Sequence, residues 1–452
     1  MDCLHIVYQF TSYKCTKLIN TFAQVGTWIQ IPAILIFFRQ SIFMKTFEIP
    51  DFYRSPLIQT VKQVRKQADK LKKDFSPTLL DFGLFKVYLA RHFGFCYGVE
   101  NAIEIAFRTV QENPGKRIFL LSEMIHNPQV NQDLQAHGVQ FIFDTLGKPY
   151  IDWMELTAND CVIVPAFGTT LETEERLRAI GIDPLQYNTT CPFVEKVWNR
   201  SQQIGQKGYS IIIHGKPKHE ETRATFSHSS AGAPSLVIND MAEAELLAPF
   251  LRKEKSATAF YETFKGRYSA GFNPETDLER IGVVNQTTML ASDTQAIADY
   301  LKQVLIGFYE LTSDKIAERF ADTRDTLCYA TLDNQQAVQG MLATKADCAF
   351  IVGGYNSSNT SHLVELSELV LPTYYIENET NLLSDGQVRH FDMHSHAEKT
   401  SYFLPTSPIP SFLISAGASC PDAVVERVIR QLQAFYTGSK SIENVLAELS
   451  AV

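Results

Sequence analysis

The 452-residue chain lacks several features that mark common protein classes. It has no excess of positive charge: 41 Lys and Arg stand against 50 Asp and Glu, a net charge of −9. This balance argues against a nucleic-acid partner, which selects a basic surface. Eight cysteines are too few for a disulfide framework in a chain of this length and favour a reducing compartment. The sequence contains neither a C-x-x-C spacing nor an H-E-x-x-H pair, two patterns that typically indicate a metal site.

The longest apolar stretch near the N-terminus, TWIQIPAILIFF at 27–38, is shorter than the roughly 20 residues that a bilayer requires. Little positive charge precedes it and no small-residue cleavage site follows, so it is not typical of a signal peptide. We expect no stable membrane insertion. We interpret residues 1–43 as an upstream extension or a misassigned start, with an interfacial anchor as the alternative. In the absence of a convincing transit peptide, the bacterial cytoplasm is predicted rather than a plastid.

Residues 44–83 are predicted to be mainly helical, and TVKQVRKQADKLKKDF within them indicates a basic helix. We interpret its charged side as a solvated helix face, with a docking surface for an acidic protein as the alternative. Its basic residues are Lys62, Arg65, Lys66, Lys70, Lys72 and Lys73.

From about residue 84, strand-like and helical runs alternate, as is typical of α/β proteins with parallel sheets. One plan occurs three times: an extended segment, a cysteine, a helix, then strands that end in polar loops. The repeated cysteines are Cys96 in FGFCYGVE, Cys191 in NTTCPFVE and Cys328 in DTLCYATL. The repeat predicts α/β units at 84–190, 191–323 and 324–452, the last with a C-terminal helix. Parallel strands gather ligands at their carboxyl ends, so all three cysteines are expected at one cavity.

Three converging cysteines suit a metal site better than a disulfide, which leaves one thiol over. Zinc takes four protein ligands, or three and a water in catalytic sites. An iron–sulfur cube usually takes four thiolates, so three leave one iron open for a substrate oxygen. Spacing alone leaves these alternatives open. Cys161 and Cys348 lie in or beside apolar strands and are predicted to be core residues, whereas Cys420 is ambiguous.

Polar side chains follow the predicted strands of all three units. Imidazoles, hydroxyls, amides and helix N-termini are the groups that hold phosphate or diphosphate. The candidates are His126, His219, Thr287, Thr288, Ser357, Ser358, Asn359 and Ser419. Beside them, Glu221 is the candidate acid for delivering a proton.

Eight motifs in order, covering about residues 86–430, resemble those of the 4-hydroxy-3-methylbut-2-enyl diphosphate reductase family. They are GFCYGVENAI, EMIHNPQVNQDL, TTCPFVEKVW, HGKPKHEETRAT, VNQTTML, LCYATLDNQQAV, VGGYNSSNTSHLVEL and SAGASCPD. The resemblance implies an α/β fold of three pseudo-repeated domains with parallel sheets, arranged as a trefoil around a central [4Fe–4S] cluster. It implies that Cys96, Cys191 and Cys328 ligate the cluster and leave one iron open.

The resemblance also implies an oxidoreductase of the methylerythritol phosphate route to isoprenoids. Two electrons and two protons remove the C4 hydroxyl of the substrate as water, giving isopentenyl diphosphate and dimethylallyl diphosphate. Glu221 is implied as the proton donor, and Thr287 as a relay, with His219 beside them. The diphosphate is implied to bind at His126, His219, Thr287, Thr288, Ser357, Ser358, Asn359 and Ser419. Electrons are implied to come from an acidic ferredoxin or flavodoxin, for which residues 62–73 are a candidate dock.

Phe167 in PAFGTT departs from the many bacterial members that carry histidine there. The same PAFG sequence is typical of the plant and cyanobacterial branch, so it indicates that branch. Phe167 removes a hydrogen-bond donor from the diphosphate site, and Thr169 or Thr170 is a candidate to compensate.

Two other functions remain as alternatives. One is a zinc-dependent or cysteine-nucleophile hydrolase acting on a phosphorylated substrate, although a nucleophile does not require three cysteines at equivalent positions. The other is a cluster-bearing sensor without turnover, although a sensor need not keep an acid such as Glu221.

Overall fold

Three separate β-sheets organise the part of the chain that the computed structural model describes, residues 47–71, 73–321 and 326–451. The predicted extension at 1–43 lies outside these ranges. The strands in chain order are β1 (Thr78–Asp81), β2 (Lys86–Leu89), β3 (Ile118–Leu120), β4 (Val139–Phe141), β5 (Cys161–Ile163), β6 (Ser210–His214), β7 (Ser235–Ile238), β8 (Ile281–Asn285), β9 (Phe320–Ala321), β10 (Cys348–Val352), β11 (Thr373–Ile376), β12 (Gln387–Asp392), β13 (Ala397–Tyr402) and β14 (Ser411–Ala416).

Helices connect these strands and cover the sheets. In chain order they are α1 (Pro56–Ala68), α2 (Tyr97–Glu112), α3 (Pro128–Ala136), α4 (Leu171–Ile180), α5 (Pro192–Gly205), α6 (Glu220–Ser230), α7 (Met241–Leu251), α8 (Ala257–Thr263), α9 (Pro274–Asp277), α10 (Ala291–Tyr309), α11 (Tyr329–Leu342), α12 (Ser358–Glu368), α13 (Asp422–Ala434) and α14 (Ile442–Ser450). Within the described ranges, no helix is long and apolar enough to cross a membrane.

The centre of each sheet is parallel, as the alternation of strands and helices predicts. The first sheet has the order β4-β3-β5, the second β7-β6-β8-β9, and the third β1-β2-β14-β10-β11-β12-β13. Among the strands named above, the antiparallel pairs lie at the ends of the third sheet, where β1 joins β2 and where β12 joins β11 and β13. Strands β6, β8 and β10 are buried at every position, as expected for strands that helices cover on both faces.

Each repeated cysteine follows a segment that pairs with the sheet of the preceding unit. Strand β2, which leads to Cys96, pairs with β14 of the third sheet. Asn188, shortly before Cys191, bridges to Val164 beside β5, and β9, before Cys328, pairs with β8. The chain therefore leaves one sheet and enters the next unit at each cysteine, and the third sheet closes the cycle by taking up β2.

This topology differs from two predicted boundaries. The first strand of the unit predicted to begin at residue 84 belongs to the third sheet, because Val87 and Leu89 of β2 are buried in the core of that sheet. The segment predicted to be mainly helical, 44–83, contributes α1 and a 3-10 turn at Asp51–Tyr53, but it also contributes β1. The antiparallel pairing of β1 with β2 is a tertiary contact, and local helix propensity does not report it.

Helix α1 is shorter than the predicted basic helix. It begins at Pro56, where the Ser55 hydroxyl caps the helix by accepting a hydrogen bond from the Ile58 N–H at 2.9 Å, and it ends at Ala68. Leu57 and Ile58 bury its apolar face in the core of the third sheet.

The basic side chains of α1 and the residues after it divide into two groups. Lys62 pairs with Asp422 at 2.8 Å, and Arg65 pairs with Asp74 at 2.9 Å. The second group, Lys66, Lys70 and Lys73, is exposed. Lys72 lies outside the described residues.

Candidate active site

Cys96, Cys191 and Cys328 occupy the same position in three different helices. Each is the N-cap residue, heading α2, α5 and α11 respectively. All three line one central cavity. Backbone N–H groups of the following residues point at each sulfur, and a helix N-terminus carries partial positive charge. Pro192 fits the first helical position after Cys191, where no backbone donor is needed.

The environment of the three thiols opposes their ionisation. Burial raises the pKa of Cys96 to about 12, and the neighbouring Cys328 adds to the rise. Burial likewise raises the pKa of Cys191, with Cys96 and Cys328 adding to it, and the pKa of Cys328 is also raised, chiefly by burial. Three partly or fully buried thiolates in one cavity therefore require a cationic group to compensate them, as a metal centre does.

The donor set fits an iron–sulfur cluster. Soft thiolate ligands select such clusters, zinc or copper(I). In the described ranges, no three His, Cys, Asp or Glu side chains are arranged to hold a single metal ion. The three cysteines nevertheless line the same cavity. Gly98 belongs to this arrangement, because a Cβ there would collide with the sulfur of Cys191.

Glu221 and Thr287 form a buried acid–hydroxyl pair in the cavity. The Thr287 N–H donates to Glu221 Oε1 at 2.5 Å, and the Thr287 hydroxyl lies 3.0 Å from Oε2. Burial raises the pKa of Glu221 to about 7, against the opposing effect of these two hydrogen bonds. Because Oε1 accepts from a backbone N–H, the acid proton belongs on Oε2, the oxygen that faces the Thr287 hydroxyl. The carboxyl therefore holds a transferable proton near neutral pH.

His126 and His219 place their imidazoles edge to edge at the cavity. Their Nε2 atoms are 3.2 Å apart, and His126 Nδ1 lies 3.2 Å from Glu123 Oε2. The Glu221 N–H donates to His219 Nδ1 at 3.1 Å, so the neutral His219 ring carries its proton on Nε2. Burial lowers the pKa of His219 well below its usual value, with His126 and nearby cations adding to the decrease.

Helix α12 presents unpaired donors to the same cavity. Ser357 is its N-cap, and its hydroxyl accepts from the Thr360 N–H at 3.3 Å. Ser358 Oγ and Asn359 Nδ2 are buried without a hydrogen-bond partner, although Asn359 Oδ1 accepts from the Ala418 N–H. Ser419 donates to the His126 carbonyl at 3.2 Å. Buried unpaired donors at a helix N-terminus suit an anion.

The other predicted residues contact neighbouring side chains or line a different cavity. Thr288 lines the cavity, but its hydroxyl accepts from Gln286 Nε2 at 2.6 Å. Phe167 stacks on His126, with ring centroids 4.3 Å apart and an interplanar angle of 26°. Thr169 and Thr170 line a neighbouring cavity rather than the central one, so they do not replace the donor that Phe167 removes.

The central cavity is small, with a volume of about 80 Å³. Its lining nevertheless includes the three N-cap cysteines together with Glu221 and Thr287.

Sequence reasoning missed three participants: Gly98, the stacking role of Phe167, and Glu220. Of these, Glu220 could have been found from the sequence, because HEE contains two adjacent acids. The motif favoured the second acid, Glu221.

Three comparisons place this chain among known proteins. Residues 87–433 match the family model described as LytB protein. The chain is 36% identical over 392 residues to the 4-hydroxy-3-methylbut-2-enyl diphosphate reductase of a Cyanothece species, covering 86% of this chain and 91% of that one. It is 38% identical over 354 residues to the reductase of the same name from a Synechococcus species, covering 78% of this chain and 86% of that one. A solved structure of the E-1-hydroxy-2-methyl-but-2-enyl-4-diphosphate reductase from Plasmodium falciparum covers 77% of this chain and 87% of that one, with a TM-score of 0.55 at 20% identity, and shares its fold.

Proposed function

The chain belongs to the LytB protein family, and from this premise we propose how its central cavity performs the family's reaction. The chain is an oxidoreductase that reduces (E)-4-hydroxy-3-methylbut-2-enyl diphosphate to isopentenyl diphosphate and dimethylallyl diphosphate, the last step of the methylerythritol phosphate pathway. The overall change adds two electrons and two protons and releases the C4 hydroxyl as water.

The three N-cap cysteines are the residues that hold a [4Fe–4S] cluster in this proposal. Their thiolates would repel one another, which favours a bound cationic group that compensates them. Gly98 leaves room for the sulfur of Cys191. When bound, the cluster supplies the electrons and an open iron site that acts as a Lewis acid towards the leaving hydroxyl.

Glu221 holds the proton for the leaving oxygen, and Thr287 directs it. The carboxyl is protonated near neutrality because burial disfavours its charge. Its Oε2 contacts the Thr287 hydroxyl, which can pass on a proton by accepting one and donating its own. This arrangement meets the requirement that a general acid have a pKa close to the working pH.

The diphosphate is bound by donors from all three units. Ser358 and Asn359 offer buried, unpaired donors at the N-terminus of α12. His126 and His219 add imidazoles, and Ser357, Ser419, Thr287 and Thr288 complete the set of polar side chains that line the cavity. An anion placed there satisfies groups that are otherwise buried without partners.

The electron donor is proposed to be an acidic ferredoxin or flavodoxin, and the compartment the bacterial cytoplasm. Among the described residues of the basic segment, Lys66, Lys70 and Lys73 are exposed and can contact such a protein, whereas Lys62 and Arg65 form ion pairs within the chain. Their contribution is expected to be electrostatic steering, which weakens as ionic strength rises.

The single observation that carries this proposal is the convergence of three N-cap cysteines with the buried Glu221–Thr287 pair in one cavity. The test is anaerobic purification, visible and paramagnetic spectra, and an assay of the allylic diphosphate with a strong one-electron donor. A brown protein that forms both products supports it. A colourless, zinc-loaded protein would contradict the cluster, and a brown protein without turnover would indicate a sensor.

A further inference from the structure

Glu220 lies between the central cavity and a second cavity on the other side of α6. The second cavity, called here the outer cavity, has a volume of about 240 Å³ and is lined by Glu220, Ser122, Arg223, Thr170, Glu172 and Arg176, among others. Glu172 and Arg176 are exposed, so the outer cavity opens to water. Glu220 does not line the central cavity, but its Oε2 lies 3.4 Å from Nε2 of His126, which does.

The surroundings of the Glu220 carboxyl favour its protonated form. It is only 7% exposed, and neither of its oxygens makes a well-aligned hydrogen bond. Burial raises the pKa of Glu220 to about 7, while His126 and Ser122 oppose the rise. A buried carboxylate without well-aligned hydrogen bonds is costly, so the group favours its protonated form near neutrality. It therefore holds a proton, close to water on one side and to an imidazole on the other.

The Nε2 atom of His126 is the acceptor for that proton. In the neutral pair, His219 carries its proton on Nε2 and donates it towards His126 Nε2, 3.2 Å away. His126 then carries its own proton on Nδ1, which faces Glu123 Oε2. The lone pair of His126 Nε2 therefore accepts from His219 and also lies 3.4 Å from Glu220 Oε2. A proton transferred there from Glu220 replaces the hydrogen bond from His219 and makes His126 cationic beside the proposed diphosphate.

The reaction also consumes more protons than Glu221 holds. Each turnover consumes two protons, whereas Glu221, which is 1% exposed, holds one and must then be resupplied. The His126–His219 pair connects the Glu220 side of the site to the backbone of Glu221 and to the proposed diphosphate position.

We propose that Glu220 is a proton-relay residue that carries protons from water in the outer cavity to His126 Nε2. The inference rests on the proposed function, because the consumption of protons there defines the need. In the step itself, the O–H bond of Glu220 breaks and an N–H bond forms at His126. The resulting carboxylate takes its next proton from hydronium or buffer acid in the outer cavity, and no electrons are exchanged. Glu220 contacts neither substrate nor cluster, so it acts through His126.

Several charged groups face Glu220 and the two histidines. Glu123 raises the pKa of Glu220 and Arg223 lowers it. Glu221 and His126 influence each other electrostatically, and Lys216 and Arg223 disfavour the charged form of His219. These groups remain in a Glu220→Gln variant, so a change in the pH profile reports the loss of the Glu220 proton itself.

The test compares holoenzyme variants prepared anaerobically, with the cluster spectrum as a check on integrity. Glu220→Gln keeps the shape of the side chain and removes its acid proton, and we expect kcat to fall by about 10- to 100-fold, within the usual range for proton transfer. Above pH 7, the slope of log kcat against pH should change from near −2 towards about −1, because only Glu221 still titrates. Glu220→Asp should recover part of kcat. Glu172→Gln, at the rim of the same cavity, is the control and should retain wild-type kcat.

A second measurement does not depend on turnover. Inorganic diphosphate is titrated into the holoenzyme at pH 6.5, by calorimetry in buffers of different ionisation enthalpy, which gives the protons taken up on binding. Inorganic diphosphate consumes no protons, so the transfer stops with His126 charged beside an ionised Glu220, whose pKa the imidazolium lowers, and the wild type takes up no net proton. The Glu220→Gln variant must take that proton, about one, from the buffer.

The outcomes separate the two proposals. A wild-type protein that forms no product contradicts the proposed function itself. A normal wild type together with a Glu220→Gln variant of unchanged kcat, pH slope and proton uptake overturns the relay alone. Equal losses in Glu220→Gln and Glu220→Asp, without a change in pH slope, also overturn it and leave Glu220 a structural role.

Discussion

Replacement of Glu221 by Gln tests the acid role most directly, because the variant preserves the local geometry. The Gln carbonyl oxygen accepts from the Thr287 N–H in place of Oε1, and its amide donates to the Thr287 hydroxyl in place of Oε2. The volume and both hydrogen bonds remain, and only the transferable proton is lost. The cluster spectrum should therefore be unchanged.

The expected effect of Glu221→Gln on activity is large. General acid catalysis contributes about 10²- to 10⁴-fold, so kcat should fall by at least about 100-fold. The wild type should lose turnover as pH rises through about 7, because the raised pKa of Glu221 places the loss of its proton there. The assay is product formation with a one-electron donor at a series of pH values.

The same substitution should change stability in a pH-dependent way. Burial raises the pKa of Glu221 from 4.5 to about 7, so its favourable contribution to folding is complete below pH 4.5 and is lost as pH rises through 7. At about 1.4 kcal/mol for each tenfold change in proton affinity, the loss is about 3 kcal/mol. Gln does not titrate. Relative to the wild type, Glu221→Gln should gain about 3 kcal/mol of unfolding free energy between pH 4.5 and pH 8.

Anaerobic denaturant unfolding of the holoprotein at these two pH values measures the gain. Glu377→Gln is the matched control, since Glu377 also has a raised pKa through burial but lies outside the central cavity. It should retain wild-type turnover. A Glu221→Gln variant with wild-type kcat would refute the acid role, and a stability difference independent of pH would refute the titration.

The remaining predictions concern the cluster, the diphosphate and the electron donor. Cys191→Ser should lose the visible absorbance and turnover, whereas Cys348→Ser, in buried strand β10, should keep both; equal absorbance in the two would contradict ligation. Asn359→Asp replaces a buried unpaired donor by a charge of the wrong sign and should raise KM by roughly 10- to 100-fold; an unchanged KM would remove the residue from the diphosphate site. Charge reversal at Lys66 and Lys70 should raise KM for ferredoxin at low salt but leave turnover with a small artificial donor unchanged; an equal effect on both donors would exclude docking.

Local sequence patterns were sufficient for the elements that hold the site. The segment after Cys191 predicts a helix because Pro192 fits its first turn, and the helix begins there. Apolar runs such as SIIIH and CAFIV predict buried strands, because a parallel sheet covered on both faces needs apolar residues at every position. The repeat around three cysteines then predicts one shared cavity, which these residues do line.

Other features depended on contacts between distant residues. Strand β2 precedes Cys96 yet completes the third sheet, because its partner β14 lies more than 300 residues away in the chain. Helix α1 ends at Ala68 although basic residues continue, since Arg65 instead pairs with Asp74 in the segment that returns to β1. No local pattern encodes such pairings.

The sequence by itself determined which groups this protein uses: three cysteines before helices, an acid and a hydroxyl after neighbouring strands, and amides and imidazoles in polar loops. These follow from periodicity, capping and motif order, which are local properties of the chain. Only the tertiary structure decided how the groups act together. It buried Glu221 so that its pKa rises to about 7, stacked Phe167 on His126, and placed Glu220 between two cavities. Desolvation and mutual orientation arise from segments that meet in space, and the order of residues does not contain them.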